Sequence, residues 1–87
     1  MKISDKCSIQ DLIEFVATQK KIRPELICSG SRKHAISDAR SIVAYLAVEE
    51  TGHAATDVAR HLGIRQTSVL QSMRKGKILF AGIEHRV

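Results

Sequence analysis

The chain has almost no aromatic residues. Tryptophan is absent, and one tyrosine with two phenylalanines makes up 3% of the 87 residues. A core built without rings must come from Leu, Ile, Val and Ala, a palette that suits packed helices better than a β-sandwich. Proline occurs once and glycine five times, too few for a turn-rich all-β fold. No apolar run approaches the roughly 18 residues that a membrane span needs. The first residues also lack the apolar stretch of a secretory signal. The two cysteines, Cys7 and Cys28, form neither a CxxC nor a metal-spaced cluster, so idle thiols of a cytoplasmic protein are expected rather than a disulfide. His34, His53, His61 and His85 are scattered without ligand spacing, which argues against a zinc site. There is no GxSxG, no phosphate-binding glycine loop and no His-x-His, and the acid pair Glu49-Glu50 points to different sides of a helix. The expectation is a single domain, core about 8–80, with no catalysis, metal, cofactor, small-molecule substrate or membrane partner.

What is present is positive charge in one place. The formal net charge is +5. Between Ala55 and Phe80 five basic residues (Arg60, Arg65, Arg74, Lys75, Lys77) face one acid, Asp57. Residues 1–28 are nearly balanced, with five basic and four acidic groups. Cationic charge concentrated on one segment is what a polyanion partner requires.

The apolar spacing predicts an all-α bundle of four to five helices. Ile9, Leu12, Ile13 and Val16 mark an amphipathic helix running to about Lys20, with Ser8 as N-cap and Asp11 completing an imperfect capping box. Lys20 and Lys21 suit its negative end. Pro24 opens a short turn of helix at the favoured first position. Cys28-Ser29-Gly30-Ser31-Arg32-Lys33-His34 reads as a polar, basic loop. Ile36, Ala39, Ile42, Val43, Leu46 and Ala47 form the strongest stripe, predicting a central helix over 36–50 that Ser37 or the residue before it starts and Gly52 stops. A fourth helix is predicted at about 55–62 and a fifth at about 66–76, ended by Gly76 and burying Val69 and Met73. Ile78, Leu79 and Phe80 are expected to cover the bottom of the core, with the last seven residues frayed.

The fourth and fifth helices carry the functional signal. Ala59, Gly63 and Val69 have the spacing of a helix-turn-helix, and each has a steric task. Ala59 is small where two helices cross. Gly63 takes the left-handed conformation that turns the chain. Val69 plugs the second helix into the core while its neighbours face outward. Arg65, Gln66, Thr67 and Ser68 open that helix with the side chains that base edges need, and Gln71 and Arg74 follow one and two turns later on the outward face. Gln pairs bidentately with adenine, Arg with guanine, and the Thr methyl meets a thymine methyl. Thr67 or Ser68 also suits a helix cap. Lys75 and Lys77 would flank the groove and meet phosphate, or simply be solvated. Thr56, at the start of the fourth helix, offers a phosphate seat. Arg40 either reaches phosphate or pairs with Asp38 or a nearby Glu.

From Ile9 to Leu79 the sequence resembles the C-terminal DNA-binding domain of the bacterial replication initiator DnaA, a Trp-repressor-like helix-turn-helix. The likeness rests on Ala39-Arg40-Ser41-Ile42-Val43-Ala44-Tyr45-Leu46-Ala47-Val48-Glu49-Glu50, similar to that family's long helix, and on Thr67-Ser68-Val69-Leu70 with Arg74-Lys75, similar to its signature helix. The tail of REP-associated bacterial transposases is also similar, through Ser31-Arg32-Lys33, Ala39-Arg40, Tyr45-Leu46-Ala47, Val58-Ala59-Arg60 and Leu62-Gly63-Ile64. The initiator resemblance implies that Arg32 enters the minor groove, Arg40 and Thr56 hold phosphate, and Thr67 and Ser68 are the paired hydroxyls of the reading helix. It also marks a departure. The family has an Asp-His pair before those hydroxyls, where this chain has Arg65-Gln66, so the usual initiator box should not be its target. No ATPase module is in the chain, and other activities would come from a larger parent or partner protein.

Double-stranded DNA is therefore the expected partner. The DNA-binding set is Arg32, Lys33, Arg40, Thr56, Arg65, Gln66, Thr67, Ser68, Gln71, Arg74 and Lys75, in a cytoplasmic, nucleoid-associated bacterial protein. The alternative is a non-catalytic interaction module whose basic face binds an acidic protein.

Overall fold

A capping box starts the first helix. In the computed structural model, which describes residues 7–28 and 33–84, Ser8 Oγ accepts from the Asp11 amide and Asp11 Oδ2 accepts from the Ser8 amide, both at 3.1 Å. These satisfy two backbone donors that the first helical turn leaves open. Helix α1 spans Ile9–Lys20 and buries Ile9, Leu12, Ile13, Val16 and Ala17. It ends at Lys21, whose φ of 58° is left-handed, and the Lys21 and Ile22 amides both reach the Ala17 carbonyl. Lys21 is thus the C-cap, a backbone role in addition to its charge at the helix end. Helix α2, Pro24–Ile27, opens on Pro24 as expected and buries Ile27.

Helix α3, His34–Tyr45, starts two residues before the apolar stripe predicts, with Lys33 in the N-cap position. Ile36, Ala39, Ile42 and Val43 are buried, and the stripe continues through Leu46 and Ala47. The last turn differs from the expectation of one uniform helix. Leu46–Glu50 is a wider π turn, closed by the Thr51 amide on the Leu46 carbonyl at 3.0 Å. The Thr51 hydroxyl donates to the Leu46 and Ala47 carbonyls at 3.3 and 2.9 Å. The wider turn keeps Leu46 and Ala47 in the core while Glu49 and Glu50 remain outside. Gly52, at φ 74°, reverses the chain. His53 then fastens this corner to the start of α1 through Nε2 and the Cys7 carbonyl, 2.8 Å apart.

Helix α4 is Ala55–Leu62, and helix α5 runs Gln66–Glu84. The second span corrects the sequence reading. Gly76 does not end the helix; it lies buried near its middle. Helix α5 packs most extensively on α3, and Gly76 is where they cross. A Cβ at this position would overlap the Ser41 carbonyl oxygen, and would lie 2.6 Å from the Ser41 carbonyl carbon and 2.9 Å from Tyr45 Cβ. The glycine is there for its missing side chain, not for a turn. Ser41 fits the same crossing as a small residue, 3% exposed, with its hydroxyl donating to the Ser37 carbonyl at 3.1 Å. Beyond the crossing, Leu79 and Phe80 pack partly against the core, and the Phe80 ring lies 6.0 Å from that of Tyr45. Ile78 points away and is 69% exposed. Residues 81–84 are helical, so the predicted frayed tail is corrected there. The elements are all helical, with no strand among the described residues.

The crossing sets a test. Ala is intrinsically better than Gly in a helix by about 1 kcal/mol. Gly76→Ala should nonetheless destabilise the fold, by more than about 2 kcal/mol, because the obstructing atoms are backbone and cannot rotate away. Urea unfolding of the variant measures this. A gain in stability would show that the helices cross less closely than described.

Candidate nucleic-acid interface

The helix-turn-helix is assembled from three contacts. Val58, Ala59 and Leu62 seat α4 on the core. Gly63 has a φ of 69°, and its amide and that of Ile64 both donate to the Ala59 carbonyl, the latter at 3.1 Å. This closes α4 and turns the chain. Val69, fully buried, then pins α5 to the core. A Cβ on Gly63 would meet the Cys28 carbonyl oxygen at 3.4 Å, so the turn lies beside the end of α2.

With α5 held by Val69, Gly76 and the half-buried Met73, the 100° advance per residue fixes what faces out. Thr67, Gln71, Arg74 and Ile78 fall on the outermost stripe, and all are exposed. Arg65 and Gln66 are exposed at its N-terminal end. The N-cap position falls on Arg65, whose carbonyl accepts from the Val69 amide at 3.2 Å, and not on Thr67 or Ser68. Ser68 is half-buried, less available than Thr67. Thr56 is exposed in the first turn of α4, and Lys33 is exposed before α3. Arg32 lies outside the described residues.

Lys75 and Arg40 are among the basic side chains with protein partners. Lys75 Nζ is 2.7 Å from Asp38 Oδ1, and Asp38 Oδ2 is 3.3 Å from His34 Nε2. Arg40 turns elsewhere: its Nε donates to the Ile27 carbonyl at 3.3 Å. Residues two apart on a helix face different directions, which is why Asp38 meets α5 and Arg40 meets the end of α2. Arg40 also acts on Cys28, whose thiol pKa burial pushes up, with Arg40 opposing that rise and Glu25 adding to it. Cys7 and Cys28 are both half-buried, and neither is in a disulfide. Among the described residues no three His, Cys, Asp or Glu side chains are grouped to hold a metal ion, and no helix is long and apolar enough to cross a membrane.

The sequence reading missed two residues of this surface. Asp38 reaches α5 only through the α3–α5 crossing, and no local spacing reveals that. Ile78 reads as a core residue until Gly76 is seen to continue the helix and rotate Ile78 to the outer stripe.

Comparison with known proteins gives a consistent assignment. The family model for the bacterial dnaA protein helix-turn-helix matches residues 9–75. The chromosomal replication initiator protein DnaA of Aliarcobacter butzleri (strain RM4018) is 35% identical over 66 residues, which are 76% of this chain and 15% of that protein. The chain thus spans a small part of the length of that relative. No solved structure matches.

The inward and outward faces of α5 should separate in mutagenesis. Val69→Ala is expected to cost about 1.5–3 kcal/mol of stability, the worth of burying such a side chain. Thr67→Ala and Gln71→Ala should stay within about 0.5 kcal/mol of the parent, as exposed positions do. Thermal unfolding of the three variants tests the orientation, and a large loss for either exposed position would reverse it.

Proposed function

This chain belongs to the bacterial DnaA helix-turn-helix family, and from that membership we propose that it binds double-stranded DNA sequence-specifically, without catalysis. The observation that carries the reading is the exposed polar and cationic outer stripe of α5, held in place from behind by Val69 and Gly76. A helix presented this way fits the major groove, with its N-terminal residues nearest the base edges.

Arg65, Gln66 and Thr67 stand at that end and are assigned to base recognition, with Gln71 and Arg74 deeper along the groove. Ser68, half-buried, contributes at the edge. Arg32 and Lys33 are assigned to the adjacent minor groove, where arginine is drawn by narrow A·T-rich segments. Thr56 meets phosphate at the start of α4. Arg40 enters with its Nε engaged by the Ile27 carbonyl, so a phosphate contact would fall to its terminal nitrogens. Arg65-Gln66 replaces the Asp-His pair of the initiator family, and the preferred site therefore differs from the initiator box. Phosphate contacts supply affinity and base contacts supply choice. ATP-dependent or other activities belong to a larger parent or partner protein, with this domain acting in the cytoplasm on the nucleoid.

Selection of bound duplexes from a random pool, followed by sequencing, tests the proposal. A consensus should emerge, with affinity falling steeply as salt rises. Gln66→Ala or Thr67→Ala should alter the preferred base at a defined position, at about 1–3 kcal/mol per lost contact. Arg32→Ala should weaken binding mostly at sites with A·T-rich flanks. Weak binding with no consensus would favour the alternative, a basic module for an acidic protein.

A further inference from the structure

Asp38 is an unusual neighbour for a cationic surface. Its side chain is only 15% exposed. Oδ1 is fully buried and receives no hydrogen bond of adequate geometry, although the Lys75 ammonium lies 2.7 Å away. The charge of Lys75, rather than a directed bond, therefore compensates it. A carboxylate withdrawn from water needs such compensation. His34, 85% exposed, approaches the other oxygen. Arg74 and Lys77 on α5 are the nearby cations of the helix, with the exposed Glu49 beside them across a shallow surface pocket, and Lys33 is exposed just before α3.

Lys75 sits one position from Arg74 on the outer stripe and one from Gly76 on the buried side. It is thus at the margin of the proposed DNA-facing surface, with its side chain 46% exposed. Phosphates nearing this margin meet a lysine already engaged by a carboxylate. Drawing Lys75 away would leave the shielded Asp38 without its counter-charge. Leaving it in place removes one cation from the set that displaces counterions.

We propose that Asp38 limits the affinity of the DNA-binding face by holding Lys75 in a charge pair at its edge, so that Lys75 is not among the phosphate-neutralising cations. The proposal rests on the reading of α5 as the DNA-facing helix. The effect is directed at phosphate, so it is the same for every sequence and leaves site preference untouched. Asp38 is then an affinity-setting residue that never contacts a base.

The test is titration of the full chain with two fluorescent duplexes, one recovered by selection and one of random sequence, between 50 and 200 mM salt. The proteins are the parent, Asp38→Asn, Lys75→Met and the double variant, each checked for folding by circular dichroism. Asp38→Asn should bind both duplexes more tightly, with a salt slope steeper by about 0.9, the value for one added phosphate contact. Its advantage should shrink about threefold from the lowest salt to the highest. Lys75→Met alone should leave the slope unchanged, and in the double variant it should abolish the gain. If Asp38→Asn fails to fold, Lys75→Met decides: an unchanged slope supports the proposal, and one shallower by about 0.9 overturns it. Equal slopes for the parent and a folded Asp38→Asn also overturn it. Failure of the parent to bind either duplex at 50 mM salt is a separate result, which removes the DNA reading and the proposal together.

Discussion

The near-contact of two backbones, where Gly76 of α5 meets Ser41 of α3, is the constraint from which the rest of the molecule follows. Helices usually stand about 8–10 Å apart because side chains intervene. Here a glycine and a small serine remove them at the crossing. The approach lets a core of Leu, Ile, Val and Ala close tightly without large rings. It also sets the rotation of α5. With Gly76 and Val69 turned inward, Thr67, Gln71, Arg74 and Ile78 have no choice but to face out.

The turn between α4 and α5 depends on a second backbone device. Gly63 adopts a conformation that residues with a side chain rarely take, and two amides converge on the Ala59 carbonyl. The chain spends few residues on the turn because hydrogen bonding is completed within it. On its other side the Cys28 carbonyl lies against Gly63, and Arg40 holds the Ile27 carbonyl. The end of α2 and the helix-turn-helix are therefore fixed to one scaffold.

Charge on this surface is not simply the number of Lys and Arg residues. Arg65, Arg74 and Lys77 are exposed on the helix-turn-helix. Lys75 is partly neutralised by Asp38, and Arg40 is turned to a carbonyl. Membership of the DnaA helix-turn-helix family and the cationic face agree on a nucleic-acid partner, and in the proposed function Arg65-Gln66 is what would give it a site of its own.

Much of this was legible in the chain. Local periodicity placed the capping box at Ser8, Pro24 at the head of α2, the stripe of α3, and the bounds of α4, because each depends on residues within one or two helical turns. Gly63 and Val69 were legible for the same reason. Only the tertiary structure decided that Gly76 lies inside a helix, that Ile78 faces outward, and that Lys75 belongs to Asp38. A glycine at a turn and a glycine at a crossing look alike in sequence, and a pair 37 positions apart has no local signature. Those outcomes depend on which helix packs against which, something no nearest-neighbour spacing encodes.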